Sequence, residues 1–182
     1  MRIALLTFAL LGATTAVAQQ PPLTVVPALD VQKYAGTWYE VARFPNRFRD
    51  HCAGDVSAEY TPRPDGRITV VNRCRRQNGQ WDDAEGVARR LEGAPASALQ
   101  VRFAPALLSF IPSVWGDYQV MALDDAYAHS LVGTPDRKYL WILSRTPVLD
   151  EAVIKTLTGI AASQGFDVSK LVRTTQTPRG TL

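Results

Sequence analysis

Between residues 36 and 145 the chain runs in short stretches that alternate apolar and polar positions, and the period changes only after Pro147. Period-two alternation bounded by turn residues is the pattern of half-buried strands. It predicts eight of them, over 36–44, 56–61, 67–74, 84–91, 98–104, 117–123, 128–133 and 139–145. Pro62-Arg63-Pro64-Asp65-Gly66 is a hairpin turn with a mechanism: Pro presets φ and Gly accepts positive φ. Asn78-Gly79, Asp124-Asp125 and Pro135-Asp136 punctuate other connections. Short sequential strands joined by hairpins make an up-and-down meander, and closing the meander removes edges that would otherwise aggregate. The expected fold class is therefore all-β, an eight-stranded antiparallel up-and-down β-barrel. Beyond Pro147, Val153, Ile154, Leu157, Ile160 and Ala161 recur at three- and four-residue spacing, with Asp150-Glu151 before them and Gly165 after. This predicts an amphipathic helix with acidic residues at its start and a Gly stop. Its single apolar face places it on the outside of the barrel. Residues 166–176 are compatible with a further short strand, and 177–182 read as a frayed end.

The first residues follow a different logic. Met1-Arg2 is a short positive end, Ile3 to Leu11 an apolar core, and Ala16-Val17-Ala18 a small-x-small cleavage site, so residues 1–18 read as a secretory signal cut before Gln19. That core is too short for a bilayer, which needs roughly twenty residues. No Cys stands near the cleavage site, so the expected product, residues 19–182, is a soluble periplasmic protein of one domain, at most peripheral to the outer membrane. Hydrophobic content of 46% with 20% charged residues is ordinary globular composition, and the net charge of +3 mildly favours anionic partners. In an exported chain the pair Cys52 and Cys74 favours a disulfide over two free thiols. The sequence carries no nucleophile elbow, phosphate-cradling glycine loop or paired metal-ligand spacing, so neither metal nor cofactor is expected. His51 and His129 are the only histidines; His129 with Asp124 or Asp125 is the nearest approach to a base and its orienting partner, and reads better as a hairpin surface. An enzyme is not expected, and without a basic helical stripe neither is nucleic-acid binding.

The runs Gly36-Thr37-Trp38-Tyr39-Glu40-Val41-Ala42-Arg43-Phe44, Ala58-Glu59-Tyr60, Val71-Asn72-Arg73-Cys74, Gly116-Asp117-Tyr118 and Tyr139-Leu140-Trp141-Ile142-Leu143-Ser144-Arg145-Thr146-Pro147 resemble bacterial lipocalins of the outer-membrane lipoprotein Blc type, relatives of apolipoprotein D. The resemblance covers nearly the whole chain after the signal. It implies an eight-stranded calyx with a C-terminal helix that binds fatty acids or lysophospholipids. The acylated Cys usual in that family is missing, so membrane anchoring is not implied.

Strand counting then places the candidate site. If the first strand rises from a closed floor, the eighth ends there, so Gly36, Trp38 and Arg145 form a structural floor with the guanidinium over the indole. Cys52 and Cys74 fall at the open rim, with the loops 45–55, 75–83, 105–115 and 134–138. The run 107–115 is unusually apolar for a connection, and Phe110 and Trp115 are expected at the entrance. Arg43, Arg47, Arg49, Arg75, Arg76, Arg137 and Lys138 are expected to form a basic margin, with Arg75 and Arg137 as its entrance residues. Such a lip suits a ligand with an acyl tail and anionic head, or an anionic membrane surface; otherwise it is a lid or a partner interface. Side chains two apart share a face, which makes Glu40, Ala42, Phe44, Tyr60, Val70, Asn72, Val101, Phe103, Tyr118 and Val120 candidate ligand contacts. Glu40 and Asn72 require partners if buried, either each other or the polar portion of a ligand. The expected function is storage or transport of an amphipathic lipid by a monomer or weak homodimer. The alternative is another small apolar compound, a pigment or isoprenoid, or protein contact at the apolar rim.

Overall fold

In a computed structural model, residues 20–47 and 50–177 are described; the expected signal segment, Arg49 and the tail beyond Thr177 lie outside them. Eight strands follow in order: β1 (Gly36–Arg43), β2 (Cys52–Pro62), β3 (Ile68–Arg76), β4 (Trp81–Arg90), β5 (Ala98–Arg102), β6 (Gly116–Leu123), β7 (His129–Gly133) and β8 (Leu140–Ser144). Each pairs antiparallel with the next, and β1 pairs with both β2 and β8, closing the barrel. The Pro62–Gly66 turn works as its sequence requires, with Gly66 at φ 78°. Several strands extend past the sequence expectation at the upper rim, where β2 starts at Cys52 and β3 ends at Arg76.

The lower half of the barrel is filled. Trp38, Val120 and Val132 are fully buried, and Tyr34 and Ile68 nearly so, in one core cluster that includes Leu29. Leu29 and Tyr34 come from the segment before β1, which the sequence reading left without an element. It holds a one-turn helix, α1 (Val31–Tyr34), capped by Asp30, whose Oδ1 accepts from the Gln32 and Lys33 amides at 2.9 and 3.3 Å. The segment is tied across the base where the Val26 amide donates to the Val120 carbonyl at 2.9 Å.

A second core lies outside the barrel. The helix α2 (Glu151–Ser163) is N-capped by Asp150 and buries Ile154, Leu157 and Ala161. These meet Leu131, Leu140, Ile142 and Met121, the outward residues of β6, β7 and β8. Each large aliphatic side chain buried there contributes about 1.5–3 kcal/mol. The chain then turns at Gly165, φ 86°, and Phe166 packs edge-on against Phe44 with centroids 6.1 Å apart.

The seam between β1 and β2 is hydrogen-bonded only in its lower part, from Gly36↔Tyr60 to Tyr39↔Ser57. Above it the strands part and the end of the chain fills the gap. A two-residue strand, β9 (Val172–Arg173), pairs with Arg43 and Ala42. Thr174 then donates its amide to Val41 at 2.9 Å, and Asp55 donates its amide to Thr175 at 2.8 Å. The Gln176 side chain bridges the two strands, donating to the carbonyls of Glu40 and Val56 at 2.8 and 2.9 Å.

Candidate ligand-binding cavity

The upper half of the barrel is open and encloses a cavity of about 820 Å3. Its wall is built from inward residues of successive strands: Val56, Ala58 and Tyr60 from β2, Val70 and Asn72 from β3, Ala84 from β4, Val101 from β5, Tyr118 from β6, Trp141 and Leu143 from β8. The polar groups gather toward the mouth, among them Asn46, His51, Asp82, Thr134 and Asp136.

At the floor the Arg145 guanidinium lies 4.0 Å from the Trp38 ring centroid and donates to the carbonyls of Tyr127, Thr37 and Lys33 at 3.2, 2.9 and 2.8 Å. The Trp38 indole donates to the Tyr34 carbonyl at 2.8 Å, so the plug is bonded to α1 on both sides of the ring. Gly36, at φ 90°, starts β1 beneath Arg145. Above the plug, hydroxyls form a directed chain. Ser130 Oγ donates to the Ala122 carbonyl, and Tyr34 donates to Ser130. Each phenol has one proton, so Tyr118 donates to Tyr34 at 2.8 Å and Tyr60 to Tyr118 at 3.0 Å. The protons at the cavity base all point downward. Burial pushes Tyr118 well above the ordinary phenol pKa, aided by the adjoining Tyr34 and Tyr60, and burial raises Tyr34 as well.

Of the ten candidate contacts, Glu40, Tyr60, Val70, Asn72, Val101, Phe103 and Tyr118 line the cavity. Ala42, Phe44 and Val120 do not. The register between β1 and β8 shifts between Glu40 and Ala42, so Glu40 opposes Leu143 while Ala42 opposes Ile142. One extra residue in the strand reverses the parity beyond it, and Ala42 and Phe44 pack outward with α2 and Phe166. Val120 points inward but belongs to the sealed lower core. Glu40 and Asn72 are not partners of each other. The buried Glu40 carboxylate accepts from Thr174 Oγ1 at 2.7 Å and ion-pairs with Arg43 at 3.2 Å, the residue that the shift brings back to its face. Asn72 stands mid-wall between Ala58 and Ala84. Phe103 reaches the mouth because Gly86 leaves room: a Cβ there would come within 2.8 Å of the Phe103 ring.

The entrance differs from the sequence expectation. Trp115 belongs to the lining, whereas Phe110 is 77% exposed and is not part of the cavity wall. Arg75 faces a separate polar hollow of about 590 Å3 on the outer wall of β1 to β3, where it pairs with Asp55 at 2.5 Å. Arg137 packs at the end of α2, donating to the carbonyls of Gln164 and Pro135 and, at 2.6 Å, of Pro21. Alternation could not reveal that these two guanidiniums are consumed by local acceptors. At the rim the Cys52–Cys74 disulfide joins β2 to β3 with Cα atoms 5.8 Å apart. His51, Cys52 and Cys74 form the metal-like grouping found among the described residues, but both sulfurs are taken by the disulfide. His51 instead bonds Asp82 at 2.8 Å, and Arg76 pairs with the same carboxylate, which these two donors hold below its ordinary pKa. His129 approaches Asp124 at 3.4 Å, while the same Asp124 oxygen caps the turn through the Ala128 and His129 amides at 2.7 Å.

A closed antiparallel barrel with a plugged floor, an open mouth and an apolar interior defines a class of small-molecule binding calyx. Residues 29–176 match the lipocalin-like domain. Over 156 residues the chain is 44% identical to the outer membrane lipoprotein Blc of Escherichia coli, covering 84% of this chain and 83% of that one. It is 42% identical to temperature-induced lipocalin-1 of Arabidopsis thaliana (87% and 85% covered) and 30% identical to apolipoprotein D of Rattus norvegicus (83% and 79% covered). Among solved structures, the cockroach allergen Per a 4 superposes with a TM-score of 0.65 at 19% identity, covering 87% of this chain and 96% of that one, which shows the fold. The protein belongs to the lipocalin family, whose members are carriers that bind small hydrophobic ligands.

Proposed function

We propose that this lipocalin holds an amphipathic lipid, a fatty acid or lysophospholipid, with the acyl chain in the barrel and the head group at the mouth, and performs no covalent chemistry. The observation that carries the reading is the separation of apolar wall and polar mouth within one cavity of about 820 Å3, a size typical of ligand sites. The cavity base favours the same orientation. Its hydroxyl protons are spent on Tyr118, Tyr34, Ser130 and Ala122, so an anionic head would meet no donor there. At the mouth, carboxylates and cations alternate in pairs, Glu40 with Arg43, Asp82 with Arg76, Asp136 with Lys138. Paired charges of both signs suit a zwitterionic head better than a bare carboxylate. Asn72 gives the middle of the chain, or a glycerol hydroxyl, one polar contact. Each buried methylene adds about 0.8 kcal/mol, so affinity should rise with chain length until the cavity is full.

We also propose export to an extracytoplasmic compartment. The support is the signal-like N-terminus, the disulfide and the similarity to outer membrane lipoproteins. No helix among the described residues is long and apolar enough to cross a membrane.

Native mass spectrometry of protein purified from the producing cell, followed by displacement of a fluorescent fatty acid with lysophospholipids of graded chain length, tests the proposal. Co-purified lipid and chain-length-dependent displacement are expected. Protein that carries no lipid and releases no probe would overturn it.

A further inference from the structure

The connection between β5 and β6 does not fold over the cavity as a lid. Two 3-10 turns, Ala106–Leu108 and Pro112–Val114, hold it outward at the open end. Leu107 and Phe110 are 82% and 77% exposed, and Leu108 and Phe103 are also exposed. Large apolar side chains presented together at the mouth of an apolar cavity are a docking feature.

What stands behind this tip decides the partner. Trp115 ends the loop, and its indole donates to the Ser109 carbonyl at 2.9 Å, fixing the tip between Leu108 and Phe110. The Arg89 guanidinium lies 3.9 Å from the Trp115 ring centroid and the Arg102 guanidinium 5.3 Å from it. Both arginines alternate with inward residues, Ala88 and Val101, so they stand on the outer wall just behind the tip. Arg89 donates to the Gln100 side-chain oxygen and Arg102 to the Ala104 carbonyl; neither forms an ion pair among the described residues. Arg102 is 95% buried by its 5% exposure, and its Nε has no hydrogen-bond partner. At the rim Arg43 pairs with Glu40 and Arg76 with Asp82, whereas the exposed Arg89 beside the apolar tip has no carboxylate partner among the described residues.

We infer that residues 103–115 are a membrane-docking lip: Leu107 and Phe110 enter the acyl region of an anionic bilayer while the exposed Arg89 faces the phosphate head groups, with the buried Arg102 holding Trp115 behind the tip. Guanidiniums suit phosphate through their planar fork, and a cation near an anionic surface adds about 1 kcal/mol. Phe103, at the start of the same connection, is exposed and also lines the cavity, so a docked molecule would bring the calyx mouth up to the bilayer. The last point rests on the lipid-carrier reading; the docking itself does not.

Vesicle flotation separates the possibilities, using phosphatidylcholine vesicles with and without phosphatidylglycerol. The unaltered protein should float with the anionic vesicles and less with the neutral ones. L107S/F110S should weaken partition at least tenfold on both, since it removes two buried apolar side chains. R89Q should weaken it roughly fivefold on anionic vesicles alone. Displacement of dissolved fluorescent fatty acid, measured in parallel, should be unchanged in both variants. If flotation succeeds and displacement fails, the carrier reading falls and the lip stands. Absence of flotation, or equal flotation of all three proteins, overturns the lip. So does a concentration-dependent dimer that L107S/F110S abolishes without any vesicle binding.

Discussion

The Arg145 guanidinium stacks on Trp38 at 4.0 Å while donating to three carbonyls drawn from α1, β1 and the β6–β7 turn. One side chain thereby joins the last barrel strand to the first and to the helix beneath them. Replacing Arg145 with Ala leaves Trp38 uncovered and three carbonyls without their donor. The expected loss is about 2–4 kcal/mol of unfolding free energy by urea titration. R145K should recover only part of it, because an ammonium lacks the planar fork.

Acid should loosen the C-terminal closure first. Although burial alone would raise it, the Asp55 carboxylate is held below its ordinary pKa by the Thr177 amide, the Arg75 guanidinium and the Thr177 hydroxyl. A depressed folded pKa contributes stability that is present above the unfolded value, about 3.9, and is lost as pH falls through the folded value. Amide exchange at Asp55 and Thr177, whose amides donate to the Thr175 carbonyl and the Asp55 carboxylate, should therefore accelerate below about pH 4, ahead of exchange in β6 to β8. D55N should show that faster exchange at neutral pH.

Alkali acts at the other end of the barrel. The raised pKa values of Tyr118 and Tyr34 reflect burial first. Their contribution is fully present below the unfolded phenol value, about 10, and is lost as pH rises through the folded values. Phenolate absorbance of the native protein should leave these two tyrosines protonated until the barrel unfolds, and stability should decline above about pH 10. Y118F, which breaks the hydroxyl chain at its middle, should cost about 1–2 kcal/mol.

Gly133 tests the docking of α2. A Cβ there would meet the Phe166 ring at 2.6 Å and the Met121 sulfur at 2.7 Å. G133A should destabilise by about 1–3 kcal/mol and shift the Phe44 and Phe166 ring resonances, leaving cavity residues such as Asn72 unmoved.

Much of this architecture is legible in the chain. Eight runs of alternating residues, punctuated by Pro62–Gly66 and Asn78–Gly79, specify the meander, and the spacing of Ile154, Leu157 and Ala161 specifies the outer helix. Trp38 and Arg145 can be placed together by counting strands alone. The cavity is legible only as far as strict alternation holds. The shift after Glu40 sends Ala42 and Phe44 to the opposite face, and nothing in Glu40-Val41-Ala42 announces it. The basic margin was illegible for another reason: charge along the sequence does not say which guanidiniums are already engaged. Arg75 and Arg137 are engaged away from the cavity, whereas Arg89 and Arg102 gather on the outer wall around the Trp115 ring.

The seam above Tyr39 gives the fold a direction in time. Glu40 meets Thr174 across a sequence separation of 134 residues, and its carbonyl meets Gln176 across 136. Contacts this distant are formed late, after local hairpins have lowered the entropy of closure. The residues that seal the wall lie after every hairpin in the order of the chain, so the local strands pair first and the barrel becomes a closed vessel only when Thr174 and Gln176 dock between β1 and β2.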